Sequence, residues 1–218
     1  MQKEAKFWNS VAEKYAKSKI ANEDAYNYTL ERTRSYLTKN DEVLEIGCGT
    51  GSTALLLANS VKELTASDVS GEMIRIGKEK AKKEGIDNIR FIEAEVLDKS
   101  LDATQQGTAQ FDAVLAYNIL HLLKELPKSL EQINKRVKPG GYFISKTVCK
   151  PSKKMSLKFL AMMLILPVMQ LVGKAPYVKI RKSEEFDELI KNAGFKVIES
   201  GNHPDNPPHR FIIAQKIK

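Results

Sequence analysis

The stretch "VLEIGCGTGSTALLLA" at residues 43–58 decides the fold, because it joins two apolar runs through a short glycine-rich turn. The first run, "VLEI" at 43–46, predicts a strand, and the second, "TALLLANSV" at 53–61, predicts a helix. The glycines between them are Gly47, Gly49 and Gly51. Glycine costs order on folding, so we expect the turn to need a bare backbone. Such a turn bends sharply and brings a ligand to amide N–H groups at a helix N-terminus.

The spacing of the glycines and two nearby acids indicate which ligand suits the turn. Nicotinamide-binding loops have the spacing G-x-G-x-x-G. Here the spacing is G-x-G-x-G, and Ser52 occupies the position where the nicotinamide pattern would have its third glycine. Glu45, two residues ahead of the loop, repels a pyrophosphate and suits a positively charged ligand. Asp68 ends the next predicted strand, 63–69, where it can accept hydrogen bonds from ribose hydroxyls. S-adenosylmethionine has a ribose, an ammonium and a sulfonium, and no phosphate.

Strands alternate with helices along most of the chain. The further predicted strands are 89–95, 111–117, 195–200, 209–217 and one that follows a turn within 138–148. The further predicted helices are 4–18, 23–38, 71–85, 119–137 and 183–194. This alternation predicts an α/β fold with a mainly parallel, doubly wound sheet and helices on both faces. The last two strands, joined by the turn-rich loop 201–208, are expected to form an antiparallel hairpin.

Composition sets outer limits on the class of protein. The 218 residues fit one α/β domain, 1–218, with a helical N-terminal cap at 1–38 and a lid insertion at 149–182. The net charge of +8 is spread along the chain, without a zinc finger or arginine-rich tract, and predicts no nucleic-acid partner. Two distant cysteines predict neither a disulfide framework nor a metal site. The polar N-terminus lacks a signal-peptide core, which favours a cytoplasmic protein.

Several motifs together resemble those of the class I S-adenosylmethionine-dependent methyltransferases, in particular the small-molecule group. The matching segments are "VLEIGCGTG" (43–51), "ASDVSGEMI" (66–74), "FIEAEVLD" (91–98), "FDAVLAYNILHLL" (111–123) and "KPGGYFI" (138–144), with "FWNSVAEKYAKS" (7–18) similar to the family's cap helix. The resemblance covers residues 7–147 well and the last helix and hairpin more loosely. It implies a Rossmann-like, seven-stranded sheet whose last strand is antiparallel.

The resemblance also implies which residues hold the cofactor. The expected set is Glu45, Gly47, Cys48, Gly49, Gly51, Asp68, Val69, Met73, Glu95, Val96 and Asn118. Asp68 is expected on the ribose, with Val69 and Met73 near the adenine. Glu95 stands where the family usually has Asp, and it would contact the adenine amino group beside the Val96 N–H.

Candidate catalytic residues follow the fourth predicted strand and lie in the cap helix. Methyl transfer depends mainly on alignment of nucleophile, methyl carbon and sulfur, and a base is needed only if the acceptor is protonated. His121 can accept a proton from a hydroxyl or thiol, although a hydrogen-bonded helix residue is the simpler interpretation. Tyr117 and Asn118 are expected to line the pocket. By the resemblance, Tyr15 lies over the cofactor.

The segment 149–182 allows three interpretations. Its apolar stretch, 159–172, is shorter than the roughly 20 residues that a membrane span needs. It is interpreted as a lid over an apolar acceptor pocket, as a helix on an anionic membrane surface through 155–172, or as a contact between two copies of the chain.

The resulting hypothesis is methyl transfer from S-adenosylmethionine to a small, apolar acceptor. Three alternatives stay open: a lipid or quinone-precursor methyltransferase at the membrane surface, a non-catalytic cofactor-binding module, and aminopropyl transfer. The last needs additional acids for a polycationic acceptor, whereas the fourth strand ends in "YNILH". The run "NPPH" at 206–209 is predicted to be a turn, because an N-P-P-aromatic motif for amide methylation would have to follow the fourth strand.

Overall fold

The computed structural model describes residues 2–102, 110–151, 165–171 and 174–217. The helices in these ranges are α1 (Gln2–Ala16), α2 (Glu23–Arg34), α3 (Ser52–Ala58), α4 (Gly71–Glu84), α5 (Leu126–Arg136) and α6 (Ser183–Asn192), and residues 165–171 are also helical. The strands are β1 (Glu42–Ile46), β2 (Glu63–Asp68), β3 (Ile89–Glu93), β4 (Phe111–Tyr117), β5 (Val137–Val148), β6 (Phe195–Asp205) and β7 (Pro208–Lys216). Every predicted strand is therefore present.

The strands form one seven-stranded sheet in the order β3-β2-β1-β4-β5-β7-β6. Pairing is parallel from β3 to β5, and β7 is antiparallel to both of its neighbours. This arrangement confirms the predicted Rossmann-like sheet with its antiparallel last strand. The chain winds outward in one direction from β1 and in the other from β4, so a crevice opens outside the carboxyl ends of these two strands.

Burial explains why β1 occupies the middle of the sheet. All five of its residues are buried, as expected for a parallel strand covered on both faces. One apolar cluster packs Leu44 and Ile46 with residues of α5 and α6, and a second packs Val43 with residues of α3 and α4. The glycine-rich turn therefore follows a strand that is buried on both faces.

The fourth crossover differs from its prediction. Instead of one helix over 119–137, a 3₁₀ turn at Leu120–Leu122 precedes α5, which begins at Leu126. Pro127 lies in the first turn of α5, where its missing N–H has no helical partner to lose. A helix running from 119 would have placed this proline in its interior, which is strongly unfavourable.

The hairpin is also tighter than predicted. The strands β6 and β7 extend through most of the expected loop, so that only residues 206–207 form the turn. The ladder is irregular between Asn202 and Asp205, and Pro204 falls in this bulge, where its lack of an N–H breaks no regular pair. The run "NPPH" therefore contains the hairpin turn and the start of β7.

Part of the predicted lid lies outside the described residues. Within the segment 149–182, the structure does not describe residues 152–164 and 172–173. These residues include most of the predicted membrane-contact stretch 155–172. On the helical residues 165–171, Ile165, Val168 and Leu171 are exposed. None of the helices in the described ranges is both long and apolar enough to cross a membrane. The single-domain assignment and the lid remain predictions.

Candidate active site

A cavity of about 350 Å³ lies outside the carboxyl ends of β1 and β4. Its wall contains most of the residues that the sequence singled out: Tyr15, Gly47, Gly49, Asp68, Val69, Met73, Glu95, Val96, Tyr117 and Asn118. The cavity also lies where doubly wound sheets bind their ligands. Four predicted residues, Glu45, Cys48, Gly51 and His121, are not part of this wall.

The glycine-rich turn adopts a conformation that side chains rarely tolerate. The φ angles of Gly47, Gly49 and Gly51 are +67°, +54° and +72°. A Cβ on Gly47 would lie 2.7 Å from Ile119, and one on Gly49 would project toward the Tyr15 ring, 3.5 Å away. The backbone of the turn is therefore part of the cavity floor, and a side chain at position 49 would extend into the space between turn and ring.

Two members of the turn support it from below. The Cys48 N–H donates to the Ser67 carbonyl at 2.9 Å, which joins the turn to β2, and the Cys48 side chain is buried. Gly51 precedes α3 as its N-cap residue. Both residues shape the turn, while their neighbours Gly47 and Gly49 form the surface that a ligand would meet.

Asp68 joins the turn to the loop after β2. Its carboxylate accepts hydrogen bonds from the Gly49 N–H and the Ser70 N–H, both at 2.9 Å. Burial raises the pKa of Asp68, and these two donors oppose that rise. The side chain also faces the cavity. Since each carboxylate oxygen accepts more than one hydrogen bond, the group can hold the turn and still accept from ligand hydroxyls.

Glu45 is a buried acid with an incomplete set of partners. Its side chain lies beneath the turn, and one carboxylate oxygen has no hydrogen-bond partner in the structure. Burial, together with the nearby Asp68 carboxylate, raises the pKa of Glu45 to about 8. A positive charge nearby strongly favours the ionised form of such a buried acid. The ammonium and sulfonium of S-adenosylmethionine meet that requirement, so the residues present fit this cofactor.

The helix α1 covers the cavity along its length. Glu4, Trp8 and Tyr15 share one face of α1 because their spacings of four and eleven residues are close to one and three helical turns, and all three line the cavity. The motifs indicate Tyr15 for this role, whereas they do not single out Trp8 or Glu4. The Glu-Trp-Tyr spacing is the signal that could have found them.

The docking of α1 onto α4 uses both polar and apolar contacts. The Ser70 hydroxyl, which caps α4 by accepting from the Met73 N–H, donates to the Asn9 side chain at 2.6 Å. Ala12 packs with Met73 and Ile76 beside Trp8. Met73 thus lines the cavity and anchors its cover at the same time.

The wall after β3 carries Glu95 and Val96 and is held by a buried arginine. Arg136, at the end of α5, is 1% exposed and donates to the carbonyls of Val96 and Asp98 and to the Asp102 carboxylate. A planar guanidinium can satisfy several acceptors at once. No motif singles out Arg136, because its partners lie 34–40 residues away along the chain.

Tyr117 lies at the end of β4, but its hydroxyl is directed to α2. The Thr33 hydroxyl donates to the Thr29 carbonyl at 2.8 Å, so the Tyr117 hydroxyl must be the donor to Thr33. Next to it, Asn118 has a φ of +55° and donates its N–H to the Lys146 carbonyl at 2.7 Å. The two residues therefore form a fixed wall at this end of the cavity.

The His121 side chain does not line the cavity. Its Nδ1 lies 3.0 Å from the Thr147 hydroxyl, and burial is the main reason that its pKa falls to about 4. Its backbone carbonyl accepts from the Lys179 N–H at 2.8 Å, two residues after Tyr177 of the cavity wall. In this position His121 is placed to anchor the returning end of segment 149–182.

Comparisons with known proteins agree with this geometry. The methyltransferase domain family matches residues 37–194. A ubiquinone biosynthesis O-methyltransferase from Acinetobacter baumannii is 24% identical over 98% of this chain and 87% of its own length. A highly reducing polyketide synthase from a Fusarium species is 36% identical over 52% of this chain, which spans only 5% of that synthase.

Solved structures show the same fold. The structure of DhpI in complex with S-adenosylhomocysteine (SAH) superposes with a TM-score of 0.73, at 20% identity, over 99% of this chain and 96% of that one. The family match covers most of the chain, including the glycine-rich turn and the cavity residues that follow β2, β3 and β4, but not α1. The chain belongs to the class I S-adenosylmethionine-dependent methyltransferases.

Proposed function

We propose that the chain methylates a small, apolar acceptor that binds in this cavity beside the cofactor. The observation that carries the proposal is the floor of the cavity, in which a side-chain-free turn and the Asp68 carboxylate meet at the switch point of the sheet. Apolar side chains supply much of the remaining wall, among them Trp8, Leu122 and Leu123. Such a wall favours an apolar acceptor.

Each cofactor group has a candidate partner on this wall or, in the case of Glu45, beneath the glycine-rich turn. Asp68 is proposed to hold the ribose hydroxyls, Glu45 to favour the positively charged methionine end, and Glu95 with the Val96 N–H to hold the adenine amino group. Tyr15 covers the turn from above. When bound, S-adenosylmethionine supplies an activated methyl group, so the chain's main contribution is alignment and exclusion of water.

Calorimetric titration with SAH tests the cofactor site. The Asp68→Ala variant should bind about 100-fold more weakly, because a buried charged acceptor contributes about 1.5–3 kcal/mol per hydrogen bond. Asp112→Ala is the matched control, since Asp112 pairs with Lys138 and does not line the cavity. Binding of NAD or a nucleoside triphosphate in place of SAH would contradict the proposal.

A second candidate is methylation of a lipid or quinone precursor at a membrane surface. The exposed Ile165, Val168 and Leu171 repeat every three residues on one side of the helical stretch 165–171 and favour this candidate. Co-sedimentation with anionic liposomes should be lost in a Val168→Ser, Leu171→Ser variant. Ile198→Ser, at an exposed position on β6, is the control. Absence of liposome binding by the unaltered chain removes this candidate.

A further inference from the structure

A buried hydrogen-bond network joins the helix α2 to the carboxyl ends of β4 and β5. Three of its members, Thr29, Thr33 and Lys146, are buried and lie outside the site that the sequence predicts. The fourth member is Tyr117, which lines the cavity. A buried polar network whose members are paired makes its surroundings rigid, so this one can hold part of the cavity wall in place.

Thr33 fixes the outer end of the Tyr117 ring. The Thr33 hydroxyl has one proton, which it donates to the Thr29 carbonyl at 2.8 Å. It therefore accepts the proton of the Tyr117 hydroxyl. The Tyr117 side chain is thus attached to β4 at one end and bonded to α2 at the other, so that only the flank of its ring is available to the cavity.

Thr33 is itself held in place by Lys146. The Lys146 ammonium lies 3.2 Å from both the Ala25 carbonyl and the Thr29 hydroxyl, which precede Thr33 on α2. Burial lowers the pKa of Lys146 to about 8, and the two hydrogen bonds to α2 offset part of the cost of burying the charge. Lys146 is also the β5 neighbour of Tyr117 in the sheet. The distance from Thr33 to the Tyr117 ring is therefore set by both α2 and β5.

The strand register places Tyr117 beside the start of the glycine-rich turn. Glu45 of β1 pairs with Leu115 of the parallel strand β4, and Gly47 and Tyr117 each lie two residues further along their chains. Both of these residues line the cavity. The Tyr117 ring therefore belongs to the end of the cavity at which the turn begins.

The orientation of a ring at this end matters for a charged cofactor. This step rests on the proposed function, which puts the ribose at Asp68 and the methionine part beside the glycine-rich turn, with the sulfonium and its methyl group between them. The face of an aromatic ring attracts a cation, whereas its edge does not. The tilt of the Tyr117 ring therefore affects how strongly this end of the cavity binds the charged sulfur.

We propose that Thr33 is a positioning residue for methyl transfer, which acts by fixing the tilt of the Tyr117 ring beside the sulfonium of the cofactor. Thr33 does not line the cavity, and its effect reaches the site through the Tyr117 hydroxyl. The fixed ring favours the charged S-adenosylmethionine over SAH, whose sulfur is neutral. It also keeps the methyl group aligned for displacement, which is the chain's main contribution to the reaction.

S-adenosylmethionine with a carbon-13 methyl group tests this inference without an acceptor, because the NMR signal of the bound methyl reports the rings next to it. Thr33→Val keeps the shape of the side chain but removes the acceptor of the Tyr117 hydroxyl. In this variant the methyl signal should move away from its position in the unaltered chain. By calorimetry, the affinity for S-adenosylmethionine relative to SAH should fall about two- to fivefold. Thr33→Ser retains a hydroxyl and should keep both values.

Tyr26→Phe is the matched control. Tyr26 also ties α2 to the body of the chain, since its hydroxyl lies 3.3 Å from the Thr53 hydroxyl, but it does not line the cavity. Its removal should leave the methyl signal and the affinity ratio unchanged, even where it lowers the melting temperature. The comparison separates a specific effect on the Tyr117 ring from a general loosening of α2.

Tyr117→Phe breaks the same hydrogen bond from the other side. Thr33 still donates to the Thr29 carbonyl in this variant, so no buried hydroxyl loses its only partner. The variant therefore keeps the inference testable if Thr33→Val does not fold. It should also move the methyl signal, and in the double variant the displacement should be smaller than the sum of the two single ones.

The outcomes separate this inference from the proposed function. If neither S-adenosylmethionine nor SAH binds to the unaltered chain, both fail. If the cofactor binds but the methyl signal and the affinity ratio stay unchanged in Thr33→Val and Tyr117→Phe, or change equally in Tyr26→Phe, the cofactor site stands and the role of Thr33 is overturned. Changes confined to the two variants that break the Thr33–Tyr117 bond support both.

Discussion

The Glu4 carboxylate lies 2.5 Å from the Lys124 ammonium and so joins the first turn of α1 to the loop that precedes α5. Both residues line the cavity, and the pair therefore spans its rim. The hydrogen bond from Lys124 is the main cause that lowers the pKa of Glu4 to about 2. The pair stays ionised at neutral and mildly acidic pH, and it links the cover of the cavity to this loop at the end of α1 opposite Tyr15.

Opening this pair should speed ligand release. In Lys124→Ala, the dissociation rate of SAH should rise about two- to fivefold, because exposed ion pairs contribute about 0.2–1 kcal/mol. Stopped-flow measurement of the tryptophan fluorescence follows the release, since Trp8 is the only tryptophan of the chain and lines the cavity. The effect should shrink at high salt, where exposed charges are screened.

The matched control for this prediction is Lys128→Ala. Lys128 forms a comparable exposed pair with Glu125, 3.5 Å away, but does not connect α5 to α1. Its removal should leave the dissociation rate unchanged. In a double-mutant cycle, Glu4→Gln should have a smaller effect in the Lys124→Ala background than in the unaltered chain, and full additivity of the two changes would show that the pair does not close the cavity.

The glycine-rich turn should not accept even a methyl group at position 47. Gly47→Ala would put a Cβ at a φ of +67° and 2.7 Å from Ile119, and Ile119 also lines the cavity. The left-handed backbone alone costs about 1–2 kcal/mol, and the contact with Ile119 adds to it. We expect a lower melting temperature and about a tenfold or greater loss of SAH affinity.

Gly85→Ala separates backbone strain from loss of the site. Gly85 ends α4 at a φ of +68°, nearly the same as Gly47, yet a Cβ there meets nothing within 4 Å. This variant should lose about 1 kcal/mol of stability and keep its SAH affinity. Equal affinities for both alanine variants would mean that the turn does not contact the ligand.

Local pattern explains why much of the fold could be predicted from the sequence. Short apolar runs predict every strand, and the turn at 47–51 together with Asp68 predicts the floor of the cavity. The ends of two elements differ from the prediction because they depend on tertiary contacts. Pro127 acted as the start of α5 and not as a residue within a longer helix, and β6 continued past Pro204 because its partner β7 paired around a bulge.

The site itself was predictable only where residues adjoin the motifs. Tyr15, Asp68 and Asn118 belong to the motifs and line the cavity. Glu4 and Lys124 line it as well, and Arg136 holds the loop after β3, but the partners of these three residues lie far away along the chain. His121, in contrast, adjoins a motif but does not line the cavity. It follows β4 closely enough to suggest a base, but the 3₁₀ turn at Leu120–Leu122 directs its ring toward Thr147. Sequence spacing alone does not determine on which side of such a turn a side chain lies.

The pKa of Glu45 predicts how the stability of the ligand-free protein depends on pH. Its folded value of about 8 exceeds the value of 4.5 for an ordinary glutamate, with burial as the first cause. Between these values the folded state binds more protons than the unfolded state, so the free energy of unfolding should fall as pH rises from about 4.5 to about 8. The slope from this one group is at most about 1.4 kcal/mol per pH unit.

Denaturant unfolding of the ligand-free chain at several pH values measures this slope. Glu45→Gln should flatten it, because the amide keeps the shape of the protonated acid without titrating. Glu63→Gln, at a partly buried position on the neighbouring strand β2, serves as the control and should keep the slope. If Glu45→Gln and the unaltered chain lose stability in parallel over this range, Glu45 does not titrate as proposed.

The buried Arg136 should matter for both stability and cofactor affinity. Arg136→Lys keeps the charge but cannot reach the Val96 and Asp98 carbonyls and the Asp102 carboxylate together. We expect a loss of about 3 kcal/mol in the free energy of unfolding, typical of a broken buried ionic contact.

The effect on affinity distinguishes a positioning role from a merely structural one. The Val96 loop carries Glu95 on the cavity wall, so SAH should bind about tenfold more weakly to Arg136→Lys at a temperature where this variant is folded. Arg75→Lys is the control, because Arg75 is an exposed residue that pairs with Glu13, Glu72 and Glu79. It should change stability by less than about 1 kcal/mol and leave affinity intact. Unchanged SAH affinity in a folded Arg136→Lys variant would mean that the loop after β3 keeps its place without the guanidinium.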